Sequence, residues 1–333
     1  MNLEMPGLLE LRDLRTVFHT ARGTLTAVDG VNLTLREGEV LGLVGESGSG
    51  KSVTLRSILR LVRPPGVVSG QVLWRGKNLL ELPESSLRKV RGGEISMIFQ
   101  EPMTALNPVL SIGQQITETL QEHTKLSNQE VQARAVELLE LVGIPSPKER
   151  LKDYAHQFSG GMRQRAMIAI ALASNPKLLL ADEPTTALDV TIQDQILKLL
   201  LRLKDTLGMG VILVTHDLGV VAQTCDRVAV MYAGRIVEVA PALELFKQPR
   251  HAYTLGLLNS VPSAESTRRP LIPIPGSPPN LANLPPGCPF APRCSYATPE
   301  CQLERPALAA ISGTRLSACI HFDKLEFAPE VSA

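Results

Sequence analysis

The 333-residue sequence lacks several features that would place it in a membrane or on nucleic acid. No apolar run approaches the roughly 20 residues that a helix needs to span a bilayer. Residues 1–6 contain neither a basic nor an apolar signal segment, so we expect no signal peptide. The formal net charge is only +1, which predicts no nucleic-acid partner. If the protein works at a membrane, we expect it to do so through a partner protein.

Cysteine is also sparse and is unevenly placed, with five residues in the chain. Cys225 stands alone, whereas four others lie near the C-terminal end: Cys288, Cys294, Cys301 and Cys319. Without a secretory signal, this cluster indicates a metal site or reduced thiols before disulfides. The composition is otherwise that of a soluble protein with a real core, at 44% hydrophobic and 20% charged residues. The length favours two or more compact units.

A glycine-rich stretch at residues 45–52 carries the strongest signal in the chain. It fits the phosphate-loop pattern G-x-x-x-x-G-K-[ST] and lies between an apolar strand at 40–44 and a predicted helix at 52–59. Its glycines allow backbone N–H groups to surround a phosphate, and the helix aims its positive end at the same anion. A glycine-rich turn with a chance lysine is disfavoured by eight matching positions. The predicted phosphate-binding residues are Gly45, Glu46, Ser47, Gly48, Ser49, Gly50, Lys51 and Ser52.

Two of these residues have specific predicted roles. Lys51 is expected to reach the β- and γ-phosphates of the nucleotide, and the Ser52 hydroxyl to ligate Mg²⁺.

Polar residues at the ends of three predicted strands extend this hypothesis. Gln100 follows a buried strand, where ligands meet open α/β sheets, although alone it would more often be a loop residue. Asp182 and Glu183 end the apolar strand that begins at 178; we expect Asp182 to hold Mg²⁺ through water and Glu183 to polarise the attacking water. His216 follows the third of these strands, and a lone histidine is usually structural.

A second glycine motif and a helical region lie between these strands. Ser159, Gly160 and Gly161 precede a strong helix and predict an anion site, but alone they would be read as a helix N-cap. Upstream, residues 127–130 form a capping-box pattern, followed by apolar residues at helical spacing up to Gly143. This region predicts a small helical subdomain.

Taken together and in this order, the motifs resemble the ATP-binding cassette subunits of ABC transporters over about residues 8–260. The resemblance implies an α/β P-loop NTPase fold, with a RecA-like sheet core, an N-terminal antiparallel β region and an inserted helical subdomain at about 101–165. It places the cassette in residues 1–260 and a proline- and cysteine-rich extension in residues 261–333.

The resemblance also implies the roles of individual residues. Residues 45–52 would be the Walker A loop, 178–182 Walker B, and 187–189 the D-loop. Gln100 would be the Q-loop glutamine on ATP and Mg²⁺, Glu183 the catalytic carboxylate and His216 the switch histidine. Ser159, Gly160 and Gly161 would be the signature that faces the ATP of a second cassette; Met162 departs from the glutamine that most cassettes carry. For Phe18, two interpretations are equally favoured: a contact with the adenine, or an ordinary core residue.

Partners and location follow from the same resemblance. A chain with one Walker A loop and one signature must pair with a second cassette, either its own copy or a homologue. Two membrane-spanning permease subunits would be gripped by the Q-loop and helical subdomain, and a solute-binding protein would act indirectly. This implies a peripheral position on the cytoplasmic face of the bacterial inner membrane. Two alternative functions are disfavoured. A soluble cassette protein that acts on ribosomes or DNA usually has two cassettes in one chain and basic surfaces, and this chain has neither. A purely regulatory nucleotide switch would be plausible if Glu183 were absent, but it is present.

The C-terminal region narrows the resemblance to oligopeptide and dipeptide importer ATPases. Residues 244–246, 249–254 and 257–258 resemble the opening of their extension, although Ala252 departs from the usual proline. Residues 262–293 contain ten prolines and predict a semi-rigid linker. Dipeptides are the predicted cargo, followed by oligopeptides, with nickel or glycosylated peptides behind.

The four clustered cysteines leave several chemistries open on spacing alone. Their gaps of five, six and seventeen residues fit neither the usual zinc pair nor a ferredoxin-type run. An iron–sulfur cluster, a loosely spaced zinc site and four reduced thiols therefore remain. The resemblance to dipeptide-permease ATPases tips the choice towards a structural [4Fe-4S] cluster, with Zn²⁺ as the alternative.

Overall fold

The computed structural model describes residues 7–21, 23–186, 188–260 and 272–325. The chain divides into two compact units. The first comprises Met1–Leu35, Val40–Leu80 and Val214–Ala333; the second comprises Arg36–Glu39 and Glu81–Leu213. Outside the described ranges lie Ala187, the first residue of the predicted D-loop, and Pro262 and Pro270, two of the ten prolines of the predicted linker. The domain boundary predicted at residue 260 stays a prediction.

The first unit contains two groups of strands. A four-stranded antiparallel sheet has the order β2-β1-β4-β5, and the second group has the order β11-β12-β10-β9-β3, in which β3 pairs with β9 in parallel. The strands are β1 (Leu9–Thr20), β2 (Gly23–Leu35), β3 (Val40–Val44), β4 (Gly66–Trp74), β5 (Lys77–Asn78), β9 (Arg227–Tyr232), β10 (Arg235–Pro241), β11 (Ala309–Ser312) and β12 (Arg315–Ser317). Its helices are α1 (Lys51–Ile58), α9 (Leu218–Thr224), α10 (Ala242–Lys247), α11 (Ala252–Asn259) and α12 (Glu300–Leu303).

The second unit is mostly helical and contains three neighbouring strands in the order β8-β7-β6. These strands are β6 (Ile95–Ile98), β7 (Leu178–Asp182) and β8 (Gly210–Val214), and β6 pairs with β7 in parallel. Its helices are α2 (Glu84–Val90), α3 (Pro102–Ala105), α4 (Ile112–His123), α5 (Asn128–Leu141), α6 (Pro147–Arg150), α7 (Gly160–Leu172) and α8 (Val190–Leu207).

Several elements follow directly from local sequence. At the end of β2, Val31, Leu33 and Leu35 are buried while the residues between them are exposed, as a period-two strand requires. Strand β3 is buried along its whole length, as expected of a parallel strand covered on both faces. Helix α5 begins at the predicted capping box: Ser127 accepts from the Glu130 backbone and Glu130 bonds back to Ser127. The predicted strand at 40–44 and the predicted capping box at 127–130 are thus confirmed.

The predicted linker is more closely packed than its proline content suggests. Residues 272–290 contain no helix or strand. However, Ile274, Leu281 and Leu284 pack against the hydrophobic core of the first unit, together with the buried Phe290. Prolines stiffen this segment, but the apolar residues between them attach it to the core. Residues 272–290 are therefore packed against the first unit along part of their length and are not a free linker.

The C-terminal extension also adds strands to the first unit. Strand β12 pairs with β10 through Glu238–Ser317 and Val239–Leu316, and β11 pairs with β12. Buried Arg315 on β12 lies 3.6 Å from the buried carboxylate of Glu238. Burial raises the pKa of Glu238 to about 7, although hydrogen bonds from its neighbours and the charge of Arg315 oppose the shift.

Within the described ranges, every helix is too short or too polar to cross a membrane.

Candidate functional site

Residues 45–52 form a tight loop between β3 and α1. Gly45 and Gly50 have φ angles of 151° and 110°, which favour glycine. A side chain at Gly45 would collide with the Met231 carbonyl, and one at Gly50 with the Ala27 carbonyl. Both positions therefore need glycine for conformation and for space. The loop has the tight, glycine-dependent shape that a phosphate cradle needs.

Lys51 folds back over this loop. Its Nζ atom donates to the carbonyl oxygens of Gly45 and Glu46, each at 2.8 Å, and the side chain is buried. Because α1 begins at Lys51, the positive end of the helix dipole reinforces the lysine charge. Ser52 lies in the first helical turn and is half-buried. The sequence-predicted phosphate residues are thus brought together at one helix N-terminus.

The acidic residue of the loop has partners that the sequence did not reveal. Arg293 donates to both carboxylate oxygens of Glu46, with distances of 2.7 and 2.9 Å. The backbone N–H of Glu46 donates to the Tyr253 hydroxyl at 2.7 Å. Both partners come from residues beyond 250. One signal could have pointed to them: a carboxylate inside a phosphate loop repels phosphate, so it calls for a cation elsewhere in the chain.

The second unit brings together two residues predicted to act on the γ-phosphate. The Gln100 amide donates to the Glu183 carboxylate at 3.0 Å, and the Thr186 hydroxyl donates to the same oxygen at 2.8 Å. Glu183 has a φ of 48°, a conformation uncommon for residues other than glycine. The preceding Asp182 is fully buried at the end of β7. The two adjacent carboxylates therefore have different surroundings, one buried and one held by two donors.

The second glycine motif opens α7. Ser159 is the N-cap, and its hydroxyl accepts from the Met162 N–H at 3.3 Å. Ser159 and Gly160 are exposed. A side chain at Gly161 would lie only 3.0 Å from the Ile192 side chain, which would have to shift to make room. The motif presents an exposed helix N-terminus, which attracts anions.

The two remaining predicted residues lie in the first unit. His216 is exposed just after β8, next to the Asp217 that caps α9. Phe18 is half-buried on β1 and faces Gly66 of β4. A side chain at Gly66 would overlap the Phe18 ring, so the ring lies closely against the β4 backbone. This position does not decide between the two roles predicted for Phe18.

The four C-terminal cysteines line one small cavity together with His251 and Phe290. Burial raises the pKa of the Cys288 and Cys319 thiols, and that of Cys294 to about 11. The cavity holds about 20 Å³, room for about one water molecule. In the described ranges, no three His, Cys, Asp or Glu side chains are placed to hold a metal ion.

The predicted metal site is therefore not supported as the residues are placed. The four thiols do face a common space, as their spacing in sequence could not show. Among the described residues, however, their sulfur atoms are not placed as a ligand group.

Comparison with known proteins identifies relatives over almost the whole chain. Residues 28–186 match the ABC transporter family, and residues 237–301 match the family described as oligopeptide/dipeptide transporter, C-terminal region. The oligopeptide transport ATP-binding protein OppD of Bacillus subtilis is 54% identical, over 94% of this chain and 88% of that protein. OppD of Salmonella typhimurium is 51% identical, over 94% of this chain and 93% of that protein.

Solved structures agree with the sequence comparison. The dimeric structure of MJ0796, a bacterial ABC transporter cassette, is 31% identical and has a TM-score of 0.64. The match covers 70% of this chain and 98% of that chain. The α/β cassette fold expected from the motifs is thus confirmed, and the chain belongs to the ATP-binding proteins of ABC transporters, within the group that carries the oligopeptide/dipeptide transporter C-terminal region.

Proposed function

We propose that this chain is the ATP-hydrolysing subunit that energises peptide import through a membrane ABC transporter. The glycine-dependent loop at residues 45–52, with Lys51 folded over it, is the observation that carries the proposal. Its geometry suits a nucleotide triphosphate, because backbone N–H groups, a lysine and a helix N-terminus converge there. Relatives that are about half identical are named as oligopeptide or peptide transport ATP-binding proteins.

The proposed chemistry assigns one task to each group. Lys51 binds the β- and γ-phosphates, and the loop N–H groups orient them. Ser52 and Asp182 offer a hydroxyl and a carboxylate, the hard oxygen donors that Mg²⁺ prefers. When bound, Mg²⁺ neutralises charge on the phosphate oxygens.

Glu183 is the proposed general base. The Gln100 and Thr186 hydrogen bonds fix one oxygen of its carboxylate, which orients the group to accept a proton from water. His216 is proposed to contact the γ-phosphate, and Phe18 the adenine; both assignments come from the resemblance alone.

The exposed signature motif suggests how the subunit assembles. Ser159 and Gly160 offer an exposed helix N-terminus suited to phosphate, and we propose that it meets the ATP held by a second cassette. The proposed assembly adds two membrane-spanning permease subunits and an indirectly acting solute-binding protein. It places the chain peripherally, on the cytoplasmic face of the bacterial inner membrane.

For the cargo, we propose a peptide, and the relatives favour oligopeptides over the dipeptides predicted from sequence. Two relatives carry oligopeptide transport in their names, and the matching C-terminal family covers both classes. A cassette does not touch the cargo, so its own residues do not resolve peptide length.

Reconstitution tests this function. The chain is combined in lipid nanodiscs with two candidate permease subunits and a candidate second cassette, and a candidate binding protein is loaded with peptides of two to six residues. ATP hydrolysis is expected to rise several-fold with loaded over empty binding protein, and most with peptides longer than two residues. A rise with nickel only, or with ribosomes or DNA in place of the membrane subunits, would contradict peptide import.

We also propose, from the family resemblance, that the four clustered cysteines bind a [4Fe-4S] cluster, with Zn²⁺ as the alternative. The type of ligand supports this proposal. The four thiols line one cavity, and soft sulfur ligands suit both zinc and iron–sulfur clusters. Protein purified without oxygen is expected to be brown and to carry about four irons per chain, as four cysteine ligands imply.

Two serine variants make the measurement specific. Cys294→Ser should lose the iron, whereas Cys225→Ser, at a half-buried cysteine outside the cluster, should retain it. One zinc and no colour would replace the cluster by the zinc alternative. Absence of both metals would leave four reduced thiols.

A further inference from the structure

An ion pair, buried on the arginine side and partly exposed on the glutamate side, joins the phosphate loop to the C-terminal extension. Arg293 and Glu46 are 247 positions apart in sequence, yet the guanidinium donates to both carboxylate oxygens, at 2.7 and 2.9 Å. The side chain of Arg293 is only 6% exposed and that of Glu46 is 25% exposed. A bidentate, charge-assisted pair of this kind is among the stronger polar contacts in proteins.

Arg293 is itself held in position by groups of the same unit. Its Nε atom donates to the Pro275 carbonyl at 2.8 Å, and a terminal nitrogen lies 3.3 Å from the Tyr232 hydroxyl. Tyr232, Tyr253 and Phe290 form an aromatic cluster, with ring centroids 4.4 to 5.3 Å apart. The guanidinium fork is therefore aimed at Glu46 by a packed surround and does not rely on the ion pair alone.

Every polar group of Glu46 is engaged. The backbone N–H donates to Tyr253, the carbonyl accepts from Lys51 at 2.8 Å, and the carboxylate accepts from Arg293. The same residue thus links the lysine proposed to bind phosphate with the extension that follows residue 260. A change at Arg293 is transmitted to the loop through one residue.

Charge explains why this pair matters for a nucleotide. A carboxylate within a loop that receives a triphosphate repels it unless a cation compensates the charge. One uncompensated negative charge at about 7 Å, with an effective dielectric constant of about 20, weakens binding of one negative phosphate charge by roughly fiftyfold. Arg293 supplies that compensation from outside the loop.

We infer that Arg293 is a positioning residue for the nucleotide, which holds the phosphate loop in its binding shape and neutralises Glu46. The inference rests on the proposed ATP binding at residues 45–52. If the inference is correct, the C-terminal extension contributes directly to nucleotide affinity through Arg293. Without Arg293, the unpaired carboxylate of Glu46 would repel the phosphates. Removing Glu46 as well as Arg293 should therefore restore nucleotide binding, and this rescue is the signature of the inference.

A double-mutant cycle on the full chain tests this. Dissociation constants are measured with a fluorescent ATP analogue and Mg²⁺ for the parent, Arg293→Gln, Glu46→Gln and the double variant. Arg293→Gln is expected to bind about 10- to 100-fold more weakly, from the charge estimate above. Glu46→Gln is expected to bind several-fold more tightly, and the double variant to return to within about threefold of the parent.

Control variants separate this role from simple loss of structure. Arg305→Gln removes another arginine of the extension, one that pairs with Asp29, and should leave ATP affinity unchanged. Arg293→Lys keeps the charge but loses the fork, and should bind between the parent and Arg293→Gln. Thermal unfolding of each variant is recorded; if Arg293→Gln does not fold, the neutral variant Arg293→Met, alone and combined with Glu46→Gln, replaces it in the cycle.

The outcomes distinguish the inference from the function beneath it. A parent protein that does not bind the nucleotide would overturn the proposed ATP binding. A parent that binds, with a folded Arg293→Gln variant of equal affinity, would overturn only the role of Arg293. A double variant as weak as Arg293→Gln would show that packing, and not charge, is what Arg293 supplies, and would also overturn the inference.

Discussion

Replacing Glu183 by glutamine is expected to abolish ATP hydrolysis and to leave ATP binding intact. Glutamine keeps the size of the side chain but cannot take a proton from water, and loss of a general base costs about 10²- to 10⁴-fold in rate. The Gln100 and Thr186 hydrogen bonds hold the side chain at position 183, so the variant should keep its local geometry. Phosphate release and nucleotide binding are measured on the same preparation.

A matched control sharpens this test. Glu137→Gln removes an exposed carboxylate of α5 that pairs with Arg134 in the same unit. Its hydrolysis rate should match that of the parent, because surface pairs of this kind contribute little. If Glu183→Gln hydrolysed ATP at the parent rate, another group would be the base.

Lys51→Ala is expected to have the opposite profile, with nucleotide binding itself lost. The substitution removes the cation proposed to face the β- and γ-phosphates. It also removes the two 2.8 Å hydrogen bonds that draw the Gly45 and Glu46 carbonyls together. Charge-assisted bonds to buried groups contribute about 1.5–3 kcal/mol each, so losing the phosphate contact should weaken binding by about 10- to 100-fold or more.

The measurement is again a dissociation constant for a nucleotide with Mg²⁺. Lys198→Ala serves as the control, because this lysine is exposed on α8 and pairs with Asp194. If Lys51→Ala and Lys198→Ala bound the nucleotide with equal affinity, the proposed role of Lys51 in phosphate binding would be wrong. Together with Glu183→Gln, the pair of variants separates binding from chemistry.

Local sequence predicted those parts of the molecule whose shape depends on near neighbours. Strand β3 was predicted at 40–44 and lies at Val40–Val44, because a wholly apolar run beside a glycine loop has few alternatives. Helix α5 begins at its predicted cap, since the capping box satisfies its own backbone donors. The helix after the loop was predicted from Ser52 and begins one residue earlier, at Lys51.

Contacts between distant segments were not predictable in the same way. The Arg293–Glu46 pair joins residues 247 positions apart, and no periodicity or motif encodes such a contact. The proline-rich segment was interpreted as a linker because proline dominates its composition; the few apolar residues that attach it to the core are a weaker signal. Cysteine spacing likewise indicated a shared site but not the size of the cavity.

The pairing of β12 with β10 has a consequence for how this protein can be cut or recombined. A sheet edge stripped of its neighbour exposes unpaired N–H and C=O groups, which recruit other chains. Ending the protein at residue 260 would remove both β11 and β12 and leave β10 as such an edge, beside a newly exposed Tyr232 and Tyr253. The extension therefore acts as a built-in guard against aggregation, and chimeric proteins should exchange it together with the cassette that it covers.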